Sequence, residues 1–281
     1  MIVDFVRFKA TDDVEIQGWL SNVDSETAVI HLHGKSGNGY ENSFLDSLRA
    51  LYSDKNISFL TIDTRGRGVI SDFRQGIDTK HAGSCFELFE ESEYDIQGAV
   101  NYMRSIGKKR FILQGHSLGC TKIVNYVSQN STESIEKIIL LAPTDMSAWA
   151  ESHAIHAEYL QTAKKLITEG NPTGLVGAQC WTDKEPLSAQ TYLSICERGS
   201  KADIYSDREG GSLLGRIKTP TLIVYGDQDI GIKQVDGSID NWTARTSNTL
   251  NPATKVSVIE GAGHSFGGYE DRLSEIIARF V

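Results

Sequence analysis

The 281-residue sequence predicts an α/β fold: a mostly parallel central sheet with helices on both faces, interrupted by a mainly helical insertion over residues 145–215. Three observations carry this. Short apolar runs of strand length, many closed by glycine- or aspartate-bearing loops, alternate with stretches whose apolar residues recur at helical spacing, which is the pattern of successive βα units. One run, Phe111-Ile112-Leu113-Gln114, passes through Gly115-His116-Ser117-Leu118-Gly119 directly into a helical pattern (Leu118, Ile123, Val124, Val127). Strands of this kind then stop after Leu141 and resume only at Thr221, so the core is assigned to residues 1–144 and 216–281.

Taken in order, Val3 to Phe8 and Val14 to Leu20 flank the turn residues Thr11-Asp12-Asp13 and read as an antiparallel hairpin. Thr27 to Leu32 is apolar enough for a strand buried on both faces. It ends in His33-Gly34-Lys35-Ser36-Gly37-Asn38-Gly39, where three glycines mark a backbone built for close approach. A helix is expected from about Asn42 to Tyr52 and a strand from Asn56 to Ile62, closed by Asp63-Thr64-Arg65-Gly66-Arg67-Gly68, with Arg65 bracing Asp63. Residues 69–91 read as an irregular surface excursion whose carboxylates form a solvated face. Ser92-x-x-Asp95 predicts a capping box opening a helix to Ile106, with Tyr94, Ala99, Val100 and Met103 inward and Gly107 as the stop.

Beyond the Ser117 turn, Ile135 to Leu141 is another buried strand. The insertion holds helical stretches at Ser152–Thr168 and Ser188–Cys196, separated by glycine- and asparagine-rich breaks, and reads as a lid. Its His153 and His156 share a predicted helix face but lack the carboxylate or cysteine partner a metal site requires. Thr221–Tyr225 and Lys255–Ile259 restore the strand pattern, ending respectively in Gly226-Asp227-Gln228-Asp229 and Gly261-Ala262-Gly263-His264. A closing helix carries Leu273, Ile276, Ile277 and Phe280.

A net charge of −9 repels nucleic acid and anionic membrane, and a small-molecule substrate suits it better. The first residues mix charges with apolar side chains, without a basic leader or small-residue cleavage site. No window approaches the roughly 18 apolar residues of a membrane span, so a cytoplasmic protein is expected. Cys85, Cys120, Cys180 and Cys196 lack C-x-x-C spacing and suit reduced thiols rather than a zinc site. Nothing in the composition sets the oligomeric state.

The chemistry centres on Ser117. A single residue turning a strand into a helix strains its backbone, and side chains two positions either side would collide, which is why Gly115 and Gly119 flank it. The Leu118 amide then points, at a helix N-terminus, toward whatever the serine attacks. The glycine-rich loop after His33 lacks the spacing of a phosphate or dinucleotide loop, so its expected task is to supply a second amide to an oxyanion, from Lys35 or, failing that, Ser36. The Lys35 side chain is expected to be solvated, His31 to lie within its strand, and His33 to brace the loop. A serine hydroxyl needs a base, and that base needs a carboxylate to fix its tautomer. Loops at the carboxyl ends of parallel strands gather at one edge, and they offer one histidine, His264, and the pair Asp227 and Asp229.

The order serine, aspartate, histidine, with His33-Gly34 upstream and Asp63-x-Arg65-Gly66-x-Gly68 after the next strand, resembles the α/β-hydrolase superfamily over nearly the whole chain. The resemblance implies the triad Ser117, Asp229 and His264, taking the acid from the last position of Gly-x-x-Asp rather than from Asp227. It implies no metal or organic cofactor. The reaction it implies is cleavage of a small carboxylic ester through an acyl-enzyme, with thioesters, amides or carbon–carbon bonds open to the same triad and a non-catalytic binding protein as the reading from another class. Phe86-x-x-Phe89-Glu90 and the residues from Gln114 to Tyr126 are also similar to a subgroup that includes fungal esterases acting on siderophore esters.

Overall fold

The computed structural model describes residues 2–130, 133–177 and 185–281. In chain order the elements are β1 (Asp4–Lys9), β2 (Glu15–Ser21), β3 (Thr27–Leu32), α1 (Phe44–Asp54), β4 (Ser58–Asp63), β5 (Ser71–Gln75), β6 (Asp78–Ala82), α2 (Ser92–Ser105), β7 (Arg110–His116), α3 (Leu118–Gln129) and β8 (Ile135–Leu141). There follow α4 (Met146–Glu151), α5 (His156–Thr168), β9 (Leu175–Gly177), β10 (Leu187–Ser188), α6 (Ala189–Cys196), β11 (Thr221–Gly226), α7 (Ile230–Val235), α8 (Ile239–Thr246), β12 (Thr254–Ile259) and α9 (Glu270–Ala278).

Eight strands form one sheet in the order β1-β2-β4-β3-β7-β8-β11-β12. The β1/β2 and β2/β4 pairs are antiparallel, as the opening hairpin requires, and the rest are parallel. From β3 the chain moves outward to β4, then returns past β3 to add β7 on its other side. The loops leaving β3 and β7 therefore diverge, which opens a crevice at the carboxyl ends of these two strands. The apolar runs read from the sequence line the core: Ala28, Val29, Ile30, Leu60, Leu113, Ile139, Leu140 and Ile223 are fully buried.

The structure departs from the sequence reading at several points. Residues 69–91 are not irregular: β5 and β6 form a hairpin whose Phe73 is buried under the Arg67 guanidinium, 5.1 Å from the ring centre. The predicted capping box is not made, because Asp95 is turned to Arg65 and the first turn of α2 has no side-chain cap. Tyr94, expected inward, is 37% exposed. His153 precedes α5 rather than sharing a helix face with His156. Two helices between β11 and β12 were not foreseen: α7 is only six residues long, and α8 is polar except for Ile239, Ala244 and the buried Trp242 that packs on Tyr225.

Between β8 and β11 lie α4, α5, α6 and the short β9–β10 pair. These carry a small apolar cluster of their own, including Trp149, Ala163, Leu187, Tyr192 and Ile195, which closes over Phe89 and Leu118 of the core. Cys180 and Trp181 lie outside the described residues. Among the described residues no helix is long and apolar enough to cross a membrane.

Candidate active site

Ser117 sits between β7 and α3 with φ 53° and ψ −122°. A non-glycine residue in this region costs about 1–3 kcal/mol and persists only where the surroundings hold it. Here its amide donates to the Leu141 carbonyl (2.9 Å) and its carbonyl accepts from the Cys120 amide (3.0 Å). The flanking glycines are needed for the steric reason anticipated, though not against each other's side chains. A methyl at Gly115 would lie 2.6 Å from the Cys120 nitrogen, and one at Gly119 would drive into the Leu32 carbonyl oxygen of β3.

The loop after β3 lies against this turn, so that a methyl on Gly34 would lie 3.0 Å from Ser117 Cβ. Its orientation is set by His33. The Thr64 amide donates to His33 Nε2 (3.0 Å), so Nε2 is the acceptor and Nδ1–H donates to the Gly34 carbonyl (2.7 Å). Burial pushes the His33 pKa down to about 3, which keeps this neutral tautomer. In a planar trans peptide the C=O and the following N–H point in opposite directions, so fixing the Gly34 carbonyl on His33 turns the Lys35 amide away from that ring. The Gly39 amide donates to Asp63 Oδ1 (2.9 Å), fastening the far end of the loop.

The Lys35 side chain is not solvated, as the sequence reading expected. It is 8% exposed and pairs with Glu185 at 2.6 Å. Ser36, with φ 56°, donates its hydroxyl to the same carboxylate oxygen.

Asp229 follows β11 and caps α7, its Oδ1 accepting the amides of Gly231 (2.7 Å) and Ile232 (3.3 Å). Its Oδ2 lies 2.8 Å from His264 Nδ1. An ionised carboxylate accepts only, so it selects the Nδ1–H tautomer and leaves Nε2 as the bare, basic nitrogen. Asp227 does a different job: its Oδ1 accepts the Gly261 amide (2.8 Å) and steadies the turn leading to His264. Of the two carboxylates, the structure brings Asp229 to the imidazole.

His116, to which the sequence reading gave no task, lies beneath His264 with ring centres 5.0 Å apart. Burial and the neighbouring His264 push its pKa down to about 3, so the ring is neutral and its Nε2–H donates to the His264 carbonyl (2.9 Å). The five-residue motif gives no hint of this partner, which stands 148 positions away.

Ser117 and His264 face one cavity of about 220 Å³. Gly34, Lys35, Glu41 and Asn42 form its polar side, and Met146, Trp149 and Ile230 its apolar wall.

Other residues singled out in the sequence are structural. Arg65 does not brace Asp63; fully buried, it reaches both oxygens of Asp12 (3.0 Å each), Glu91 (2.9 Å) and Asp95 (2.7 Å). It is Arg67 that pairs with Asp63, at 3.0 Å. Glu87, expected on a solvated face, is buried against Lys122 of α3 at 2.6 Å. His31 is buried in β3 against Gln114, as expected, and His156 contacts the Tyr192 hydroxyl. Cys85, Cys120 and Cys196 are buried. Among the described residues no group of three or more histidine, cysteine or acidic side chains is placed to hold a metal ion.

The family described as "Protein of unknown function (DUF1749)" matches residues 82–281. A curated relative, the uncharacterized protein YfhR of Escherichia coli (strain K12), is 28% identical over 144 residues, which cover 48% of this chain and 45% of that protein, so the chain matches less than half of the relative's length. Among solved structures the chain is similar to DcsB in complex with its substrate analogue (TM-score 0.69, 16% identity, 99% and 98% of the two chains covered). It is similar too to ferulic acid-bound Est1E from Butyrivibrio proteoclasticus (TM-score 0.65, 17% identity, 97% and 96% covered) and to carboxylesterase CesB from Bacillus subtilis (TM-score 0.59, 16% identity, 100% and 92% covered). At such identities the likeness shows the fold, and the fold is that of the α/β hydrolases.

Proposed function

The chain belongs to the DUF1749 family, for which no function is described, and from the geometry of its site we propose that it is a serine hydrolase cleaving a compact carboxylic ester through an acyl-enzyme on Ser117. The observation that carries the reading is His264, paired with the buried Asp229 at 2.8 Å and facing the same cavity as a serine held at φ 53°.

In this reading His264 Nε2 takes the Ser117 proton as the oxygen attacks the ester carbonyl, and Asp229 stabilises the imidazolium that forms. The carbonyl oxygen becomes an oxyanion received by the amides of Leu118 and Lys35, each donor being worth about 3 kcal/mol of barrier. The imidazolium then protonates the leaving alcohol. Water then attacks the acyl carbon as His264 takes its proton, the bond to Ser117 Oγ breaks as that oxygen recovers the proton from His264, and the acid leaves. Lys35 is preferred to Ser36 as donor because His33 fixes the peptide that bears its N–H. Residues 145–215 act as a lid, with Met146 and Trp149 forming the apolar wall against which the substrate is held.

The esterases among the structural neighbours support this reading, Est1E holding ferulic acid and CesB being a carboxylesterase. A fluorophosphonate is expected to label the protein at Ser117, and aryl esters of short acyl chains are expected to turn over, with both lost in Ser117→Ala by about 10⁴-fold or more. Thioesters, amides and hydroxamate esters run in the same assay would define the bond cleaved. Labelling that persists in Ser117→Ala would overturn Ser117 as the nucleophile, and an absence of turnover with every ester, with ligand affinity unchanged in Ser117→Ala, would end the esterase reading and favour a binding protein.

A further inference from the structure

We propose that Glu185 is a positioning residue for the oxyanion site: reaching from the insertion to the loop after β3, it holds Lys35 and Ser36 in the arrangement that presents the Lys35 amide to the cavity. The inference rests on the serine-hydrolase reading and adds a residue to it that the motif pattern does not contain.

Four observations converge on it. One carboxylate oxygen of Glu185 takes both the Lys35 ammonium (2.6 Å) and the Ser36 hydroxyl, so two successive loop residues are tied to a single atom. Ser36 sits at φ 56°, a left-handed conformation that a residue with a Cβ holds only under constraint. Its backbone is fastened from the opposite side, its carbonyl accepting the Gly68 amide at 3.1 Å. The insertion is itself anchored beside this contact: the Ser188 amide donates to the Cys85 carbonyl (2.8 Å), and the Ser84 hydroxyl lies 3.4 Å from the same Glu185 oxygen.

Lys35 thus stands between two fixed points. On one side His33 sets the Gly34 peptide; on the other Glu185 sets Ser36. Releasing the second point leaves the Ser36 backbone free to relax toward a negative φ, and the Lys35 peptide rotates with it. The ground-state substrate hardly senses this, because its carbonyl is neutral. The oxyanion does.

The test compares the wild type, Glu185→Ala, Glu185→Gln and Ser36→Ala on an aryl acetate, alongside inhibition by an alkyl trifluoromethyl ketone and by acetate. The ketone is read as an oxyanion probe: Ser117 Oγ adds to its carbonyl carbon, the hydroxyl proton passes to His264 and the former carbonyl oxygen carries the charge. In Glu185→Ala, kcat is expected to fall about 10- to 100-fold with KM little changed, and the ketone Ki to rise by the same factor. The acetate Ki should stay near wild type, while the thermal midpoint falls in a protein that remains folded, because the Lys35 ammonium, 8% exposed, loses this carboxylate. Glu185→Gln keeps an oxygen for the Ser36 hydroxyl and is expected to recover most of the loss, while Ser36→Ala reproduces part of it. Unchanged kcat and ketone Ki in an active, folded Glu185→Ala would overturn the proposal and leave the esterase reading intact. A wild type inert toward every ester and unlabelled by fluorophosphonate would remove both.

Discussion

Ser117 holds its strained backbone only because neighbours far off in sequence leave it no alternative: the Leu141 carbonyl takes its amide, and the β3 carbonyls sit where any side chain at Gly119 would go. His116 extends the same logic to the base. Its Nε2–H holds the His264 main chain while Asp229 holds the ring, so one histidine is positioned from both ends. Removing a donor to a buried carbonyl costs about 1–3 kcal/mol, and a small displacement of a catalytic group can cost up to 100-fold in rate. His116→Leu is therefore expected to lower kcat about 10- to 100-fold with KM little altered. His116→Gln, whose Nε2 can occupy nearly the same point as that of histidine, should restore much of it. Steady-state kinetics on an aryl ester decide the matter, and equal losses in both variants would mean that the ring's shape matters and its proton does not.

At the scale of elements, what the sequence made legible was whatever local pattern dictates. The strands of the parallel sheet are apolar runs, the Ser117 turn is a glycine-spaced motif, and Gly107 at φ 92° stops α2 as read. What stayed hidden were the partners chosen across the fold. Asp95 and Ser92 spell a capping box, yet a buried Arg65 outbids the helix terminus for the carboxylate, because an unpaired guanidinium there would cost more than a missing cap. Lys35 and Glu185 are 150 positions apart, and no spacing rule joins them. Glu87 looked like one more surface acid among its neighbours, but the turn after the β5–β6 hairpin carries it under Gly66 to meet Lys122 on α3, the helix that begins at the Ser117 turn. Breaking such a buried pair by removing one partner costs about 3–5 kcal/mol, since the other charge is left behind. Glu87→Gln and Lys122→Met should each lower the urea-derived unfolding free energy by about that much. The double variant should lose less than the sum, as coupled neighbours do. Additive losses would mean that the two side chains do not act as a pair.

For the molecule as a whole, the crevice that places the site also concentrates buried histidine. His31 lies in β3, His33 just after it and His116 at the end of β7, all fully or almost fully buried at the switch between the two strands. Burial pushes the pKa values of His33 and His116 down to about 3, and that of His31 well below the ordinary range. A histidine in the unfolded chain titrates near 6.5, so below that pH the unfolded state binds protons that the native state refuses, and stability falls with falling pH. Each residue then contributes about 1.4 kcal/mol per pH unit once the pH is below about 6, or about 4 kcal/mol per unit for the three together, against a total stability of about 5–15 kcal/mol. The raised pKa values of Asp63 and Asp145, both driven by burial, pull the opposite way, since those carboxyls take up protons more readily in the native state. Three rings kept neutral in the native state outweigh these two carboxyls over the interval from about pH 6 to 5. The thermal midpoint should drop steeply across it. Unfolding at pH 5.5, followed by calorimetry in buffers of different ionisation enthalpy, should take up close to three protons from this cluster. A midpoint that stays level between pH 7 and 5 would show that these rings are protonated in the native protein. His33 and His116 would then no longer be the neutral donors that fix the Gly34 peptide and the His264 backbone.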